Sequence, residues 1–250
     1  RRVVVIKEAD SFQETGGGSL LKTLEEPGPS TVLILTAISE SRVMETLVSR
    51  CVRLRVPPLA KAVILLALKD NKGLDGPRAE LVAGLSAGAL GAALAMDAEA
   101  AWAFWSRLDR LIGQAISSKP AVFKAASDWS TEMDEEMGAL RKRDSEEILK
   151  AEGGQAAGGL RRAYYVNLAA CLRLWWRDAL VLSATGEPWR MAGPPPTPAM
   201  RQWAVRLRGE RMDYYFKAVD DLEDGFRRQI KPELALAQYW LSLLTRGPKA

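Results

Sequence analysis

Strand patterning in this chain stops at Pro57-Pro58. Upstream, Val3 to Ile6 is a short continuous apolar run, the pattern of a buried parallel strand. Ser19 to Glu26 reads as a helix with Leu20, Leu21 and Leu24 on one face, stopped by Pro27. Thr31 to Leu35 reads as a second buried strand. Ser41 to Val48 reads as a short helix with Val43, Met44, Leu47 and Val48 as its apolar positions. Val52 to Val56, alternating with Arg53 and Arg55, reads as a third strand that the proline pair ends. Strand, helix, strand, helix, strand with short loops predicts an α/β unit with a partial parallel sheet.

Downstream of Pro58 the pattern is helical. Ala60 to Leu68, Pro77 to Leu85 and Leu90 to Met96 read as three short helices divided by turns at Gly73, Gly76 and Gly88, with Pro77 suited to a first helical turn. Longer helices follow. Glu99 to Ile116 carries Trp102, Trp105, Leu108 and Ile112, and Leu160 to Leu182 carries Tyr164, Leu168, Cys171, Trp175 and Leu182, both at helical spacing. Gly153-Gly154 and Gly158-Gly159 read as a turn before the second of these. Ala192 to Pro198 reads as a stiff surface loop. The last helices are expected over about Ala199 to Gly225 and Pro232 to Thr245. The Trp-rich helices read first as core, with partner contact as the second use of Trp102, Trp105, Trp175, Trp176, Trp203 and Trp240.

Composition excludes several classes of chemistry. The 250 residues contain no histidine and only two cysteines, so imidazole catalysis and a four-cysteine zinc site are both out. Cys51 and Cys171, both in apolar contexts, read as two free, buried thiols of a reducing cytosol. No apolar run approaches the ~20 residues of a membrane span, and the best candidate, Ala60 to Leu68, is broken by Lys61. The chain opens Arg1-Arg2 and leads straight into an expected strand, so no signal peptide is expected, and with no initiator Met it is expected to be a piece of a longer protein. The net charge of +4 is mild, but its distribution is uneven. Asp128 to Glu152 holds nine acids against four bases, and Gln155 to Arg211 nine arginines against three acids. Such asymmetry marks differently solvated faces or steers a partner.

Two nucleotide motifs are nearly present. Gly16 to Thr23, GGGSLLKT, misses the phosphate loop G-x-x-x-x-G-K-[ST] because Leu21 stands at the glycine before the lysine, where a side chain obstructs the wrap around phosphate. It reads as a Gly-rich lead into a packed helix. Val3 to Glu8 reads as a Walker B strand in which Lys7 replaces the magnesium-binding Asp. A cation cannot take a carboxylate's place at Mg²⁺. Glu8 and Asp10 read as strand-end polar residues.

Taken together, IKEAD (Ile6 to Asp10), LLKTLEEP (Leu20 to Pro27) and TLVSRC (Thr46 to Cys51) resemble the AAA+ clamp-loader family of bacterial DNA polymerase III. Gly88 to Leu94 resembles that family's lid-helix motif, Leu174 to Asp178 its collar W/Y-R-D signature, and Lys231 to Leu236 the start of its final helix. The resemblance implies an α/β AAA+ remnant over 1–57, a three-helix lid over 58–97 and an all-α collar for oligomerisation over 98–250.

The departures imply a non-hydrolysing member. Lys7 stands at the Walker B Asp, Ala37 or Ile38 at the sensor-1 polar position and Ala92 at the sensor-2 arginine, while Ser49-Arg50-Cys51 is kept. By resemblance, Arg50 is an arginine finger that contacts a neighbour's ATP and Mg²⁺ in trans, and the chain itself holds no cofactor or metal. The implied partners are ATPase subunits of the gamma or tau type and the delta subunit, with the sliding clamp and primer-template DNA met through the complex, in the cytoplasm and away from membranes. The phosphate loop is expected upstream of Arg1. Arg50 alone also reads as a strand-entry arginine in a structural salt bridge, Cys51 as a residue packed on the sheet, and Arg177-Asp178 as an internal ion pair between collar helices. Two other functions stay open at this stage. One is an active AAA+ ATPase subunit. The other is a helical scaffold or DNA-binding module that grips phosphates through its arginines.

Overall fold

The computed structural model describes residues 2–11, 14–28, 30–115, 123–124, 126–132, 135, 156–207 and 212–246. The chain folds into two compact units, 1–57 and 58–250.

In the first unit, β1 (Arg2–Ile6) and β2 (Thr31–Leu35) pair in parallel, with Val3 opposite Val32 and Val5 opposite Ile34. Parallel strands need a long crossover, and α1 (Glu14–Glu25) supplies it. Backbone bonds extend the pairing at both ends, from Arg2 N–H to Ser30 O and from Ala9 N–H to Thr36 O, each at 2.8 Å. After β2 the chain makes a 3₁₀ turn at Glu40–Arg42 and the one-turn helix α2 (Glu45–Val48).

Two expectations fail here. The strands are not buried: Val3, Val5, Val32 and Ile34 share one face of the sheet and are all exposed. The third strand is absent. Residues 52–56 join no ladder, and Val52, Leu54 and Val56 are almost wholly exposed. An extended segment is held only by a neighbour's peptide groups, and among the described residues none pairs with it. The alternation of Arg53 and Arg55 leaves one ion pair, Arg53 to Glu40 at 2.9 Å.

Among the described residues the second unit is helical in all its regular elements. It begins with α3 (Lys61–Lys72), α4 (Gly76–Leu85) and α5 (Leu90–Ala95), packed around Ile64, Leu68, Ala79, Val82, Ala83 and Ala93. Gly73 ends α3 in the left-handed region at φ 61°, its N–H returned to Leu68 O and Lys69 O. Asp97 starts α6 (Ala98–Ala115) by accepting from the N–H groups of Glu99 and Ala100 at 3.0 Å. The helical segment 126–132 (α7), α8 (Ala156–Thr185), α9 (Pro198–Arg206), α10 (Met212–Arg227) and α11 (Pro232–Arg246) complete it. Helix α9 opens with Thr197 Oγ1 accepting from Met200 N–H and with Pro198 in the first turn. A second, larger core joins α6 through α11, and Leu81 of α4 belongs to it.

Aromatic side chains dominate that core. Trp105, Trp129, Trp175, Trp176, Trp203 and Trp240 are buried. Trp176 meets Trp175 and Trp203 edge-on at 4.9 and 5.0 Å, and donates to Tyr239 Oη at 2.5 Å. Five of the six tryptophans that offered themselves for partner contact are therefore core residues. The sixth, Trp102, is partly covered, with Arg78 5.8 Å above its ring. The exposed indole is Trp189, at 76%.

Two further boundaries move. Gly158 and Gly159 lie inside α8 rather than in a turn before it; the apolar face of a 30-residue helix offsets the cost of about 1 kcal/mol per glycine. Gly153-Gly154 falls outside the described residues. The helix expected to run on to Gly225 breaks after Arg206, where Leu207 turns into the core.

Candidate functional site

Helix α2 is anchored by Leu47, which is fully buried. The chain then winds tightly, with Arg50 N–H bonded to Leu47 O and Cys51 N–H to Val48 O, each at 3.2 Å. This turn carries Ser49-Arg50-Cys51 on an exposed shoulder. Ser49 Oγ donates back to Thr46 O at 3.1 Å, and Cys51 is half-buried.

Arg50 is already engaged within the chain. Its Nε donates to Glu25 Oε1 at 2.8 Å, and its Nη2 lies 2.5 Å from the same oxygen. Its Nη1 donates to Thr46 O at 3.0 Å and Ser49 Oγ at 3.3 Å. The guanidinium thus sits at the C-terminal ends of both α1 and α2, where peptide carbonyls favour a cation. The side chains are 36% and 48% exposed, so water screens the pair and its worth is at most about 1 kcal/mol.

The other nucleotide-reading positions are separate from this pair. Lys7 and Glu8 follow β1, both exposed. Glu8 adopts φ 56°, unusual for a residue with a side chain, and its carbonyl accepts from Ser11 N–H and Oγ at 2.9 and 2.7 Å. Thr36 continues the β1–β2 ladder through its N–H to Ile6 O, and Ile38 is exposed. Ala92 lies on the exposed side of α5. Among the described residues no cluster of acids and cysteines is arranged to hold a metal ion, and no helix is long and apolar enough to cross a membrane.

Sequence reasoning passed over Glu25. The LEEP carboxylates were visible, but nothing local says that Glu25 meets a residue 25 positions away.

A second polar cluster lies wholly in the second unit. Asp178 on α8 is fully buried and accepts from Ala192 N–H at 2.8 Å and Gly193 N–H at 2.7 Å. Arg177, its neighbour on the same helix, contacts it at 2.8 Å. The pair therefore does not tie helix to helix as expected. It pins the start of the following loop, where Gly193 and Pro194 are buried, while Pro195 and Pro198 stay exposed. Lys61 on α3 reaches the same loop, donating to Gly193 O at 3.2 Å and Met191 O at 3.3 Å, with Glu80 Oε2 at 3.4 Å. Burial pushes the Asp178 carboxyl above its ordinary pKa; the two N–H groups, Arg177 and Lys61 oppose the shift without cancelling it.

Comparison with known proteins bears on the first unit. Residues 1–60 match the family model described as DNA polymerase III, delta subunit. A DNA polymerase III subunit delta' of Pseudomonas aeruginosa is 40% identical over 57 residues, 23% of this chain and 17% of that protein. Over residues 1–60 the chain is therefore similar to the DNA polymerase III delta and delta' subunits. The Bacillus subtilis subunit delta' is 34% identical over 64 residues, 26% of this chain and 20% of its own length. Replication factor C subunit 4 of Arabidopsis thaliana is 29% identical over 122 residues, 47% of this chain and 34% of that protein. The matches thus span about a third or less of each of these relatives. The family-model match includes Lys7, Glu8, Glu25 and Arg50 and stops before α3.

Proposed function

We propose that this chain is a non-hydrolysing, delta prime-type subunit of a DNA polymerase III clamp loader. Residues 1–57 are the remnant of a AAA+ nucleotide-binding domain, 58–97 its lid, and 98–250 the collar through which it assembles with gamma- or tau-type ATPase subunits and with delta. The complex as a whole engages the sliding clamp and primer-template DNA in the cytoplasm. Arg50 reaches the γ-phosphate of ATP held by a neighbouring subunit and stabilises the charge that develops there.

The observation that carries this reading is the pairing of a lost site with a kept one. Lys7 stands where a metal-binding carboxylate is needed, and Arg50 stands on an exposed turn that its own nucleotide positions do not use. A guanidinium suits the task because it is always charged and forks onto phosphate oxygens.

The test is reconstitution with the ATPase and delta subunits. Arg50→Ala is expected to leave assembly intact and to lower DNA- and clamp-stimulated hydrolysis. A finger contributes ~10³–10⁵ at the site it serves, but it serves one of several, so total turnover falls much less. Arg50→Lys is expected not to rescue, because an ammonium lacks the planar fork. Unchanged hydrolysis by an assembled Arg50→Ala complex overturns the reading.

A further inference from the structure

We infer that Glu25 is an internal competitor for the anion that Arg50 takes, an exchangeable carboxylate that sets how easily a phosphate group recruits the arginine. The inference rests on the role proposed above for Arg50.

A guanidinium has five N–H groups. Those of Arg50 divide into two sets. Nη1 is held by Thr46 O and Ser49 Oγ, atoms of the turn on which Arg50 itself sits. Nε and Nη2 converge on the single oxygen Oε1 of Glu25. The edge formed by Nε and Nη2 can fork onto a carboxylate or a phosphate, and Glu25 holds it. A phosphate cannot fork onto that edge until Glu25 leaves.

The geometry makes that exchange easy. Glu25 is the last residue of α1 and half-exposed, so its side chain can swing into water while the helix stays put. The Nη1 bonds remain when Glu25 departs, so the guanidinium keeps its place as its other edge opens. A phosphate carries about −1.5 to −2 at neutral pH against −1 for a carboxylate, and so competes well for the same edge. A purely structural strut between α1 and α2 would share the contact but not its consequence, since breaking a strut costs stability and adds no affinity for an anion.

The experiment uses the full chain labelled with ¹⁵N-arginine. The Nε–H resonance of Arg50, assigned by its loss in Arg50→Ala, is followed during titration with pyrophosphate. Glu25→Gln is expected to bind about two- to fivefold more tightly than the unaltered chain, the range an exposed ion pair supplies. Glu26→Gln removes an adjacent exposed carboxylate that makes no ion pair among the described residues, and is expected to change the affinity much less. Equal tightening by both variants reduces the effect to net charge and overturns the inference, as does an unaltered affinity in a Glu25→Gln chain with the parent's thermal midpoint.

The two claims fail separately. Tighter binding by Glu25→Gln, with hydrolysis in the assembled complex indifferent to Arg50→Ala, keeps the competitor and removes the role in trans. Lost hydrolysis in Arg50→Ala, with no change of affinity in Glu25→Gln, does the reverse.

Discussion

Asp178 is closed off from water and held by two backbone N–H groups and one arginine. Removing its carboxylate leaves the N–H groups of Ala192 and Gly193 without an acceptor, and Gly193 is buried. Asp178→Ala is therefore expected to destabilise the second unit by about 2–3 kcal/mol. Urea unfolding followed by Trp fluorescence measures this, because all eight tryptophans lie between Trp102 and Trp240. A variant as stable as the parent would mean that the prolines, not the carboxylate, fix the loop. The pH dependence has a definite sign. The folded chain holds the Asp178 proton more tightly than the unfolded chain, since burial raises the pKa above 3.8. Stability therefore falls as pH rises from that value through the raised one, and levels off above it. Asp178→Asn, which cannot titrate, is expected to lack this slope.

Among the elements, the turn that leads into α5 separates two glycines of one motif. Gly88 sits at φ 84°, and a Cβ there would lie 2.6 Å from Pro58 Cβ and 2.8 Å from Leu59 N, whose N–H donates to Gly88 O at 3.0 Å. Gly91 lies on the open side of α5 with nothing within 4 Å. Gly88→Ala is expected to cost about 1–3 kcal/mol, through strain and steric overlap. Gly91→Ala is expected to stabilise the isolated chain by about 0.5–1 kcal/mol, through helix propensity. Thermal melts of the two variants check the pair; equal effects would remove the distinction. The spacing of small residues displayed the motif in the sequence, but not which glycine is pressed against backbone. The same division runs through the chain. Helices α3 to α6 and α8 were legible because their apolar residues recur every three or four positions, and β1 and β2 because β-branched runs flank a helix. Burial of the strands and the extent of the sheet were not, since a strand's partner is decided by distant chain. Leu54 and Leu33 look alike in sequence, and one pairs while the other does not. At the candidate site, the exposure of Arg50 followed from its place after α2, whereas its bond to Glu25 depended on how α1 lies against α2. The AGPPPTP loop misled for a related reason. Prolines imply surface, and Pro195 and Pro198 are exposed, but Asp178 draws the start of the loop inside by accepting from Ala192 and Gly193.

At the level of the whole molecule, apolar burial is lopsided. Among the described residues the first unit buries only Ala9 and Leu47 fully, while the second unit has two continuous cores. Hydrophobic stabilisation scales with area removed from water, so the second unit carries most of it. Residues 58–250 alone are expected to keep the near-UV circular dichroism and the Trp-detected urea midpoint of the full chain. A collapse of either would show that residues 1–57 are needed to hold the helical unit. Hydrogen exchange is expected to be fast throughout residues 1–57 and slow in α8 and α11. The contrast extends to the two thiols. Cys171 is sealed in the larger core, its pKa pushed up to about 12, and stays protonated and unreactive at neutral pH. Cys51 is half-buried in the less protected unit, directly beside Arg50. A maleimide dye offered to the native chain therefore has a single practical address. A fluorophore can be seated next to the arginine without engineering a cysteine, and its emission would report whatever anion or subunit arrives there.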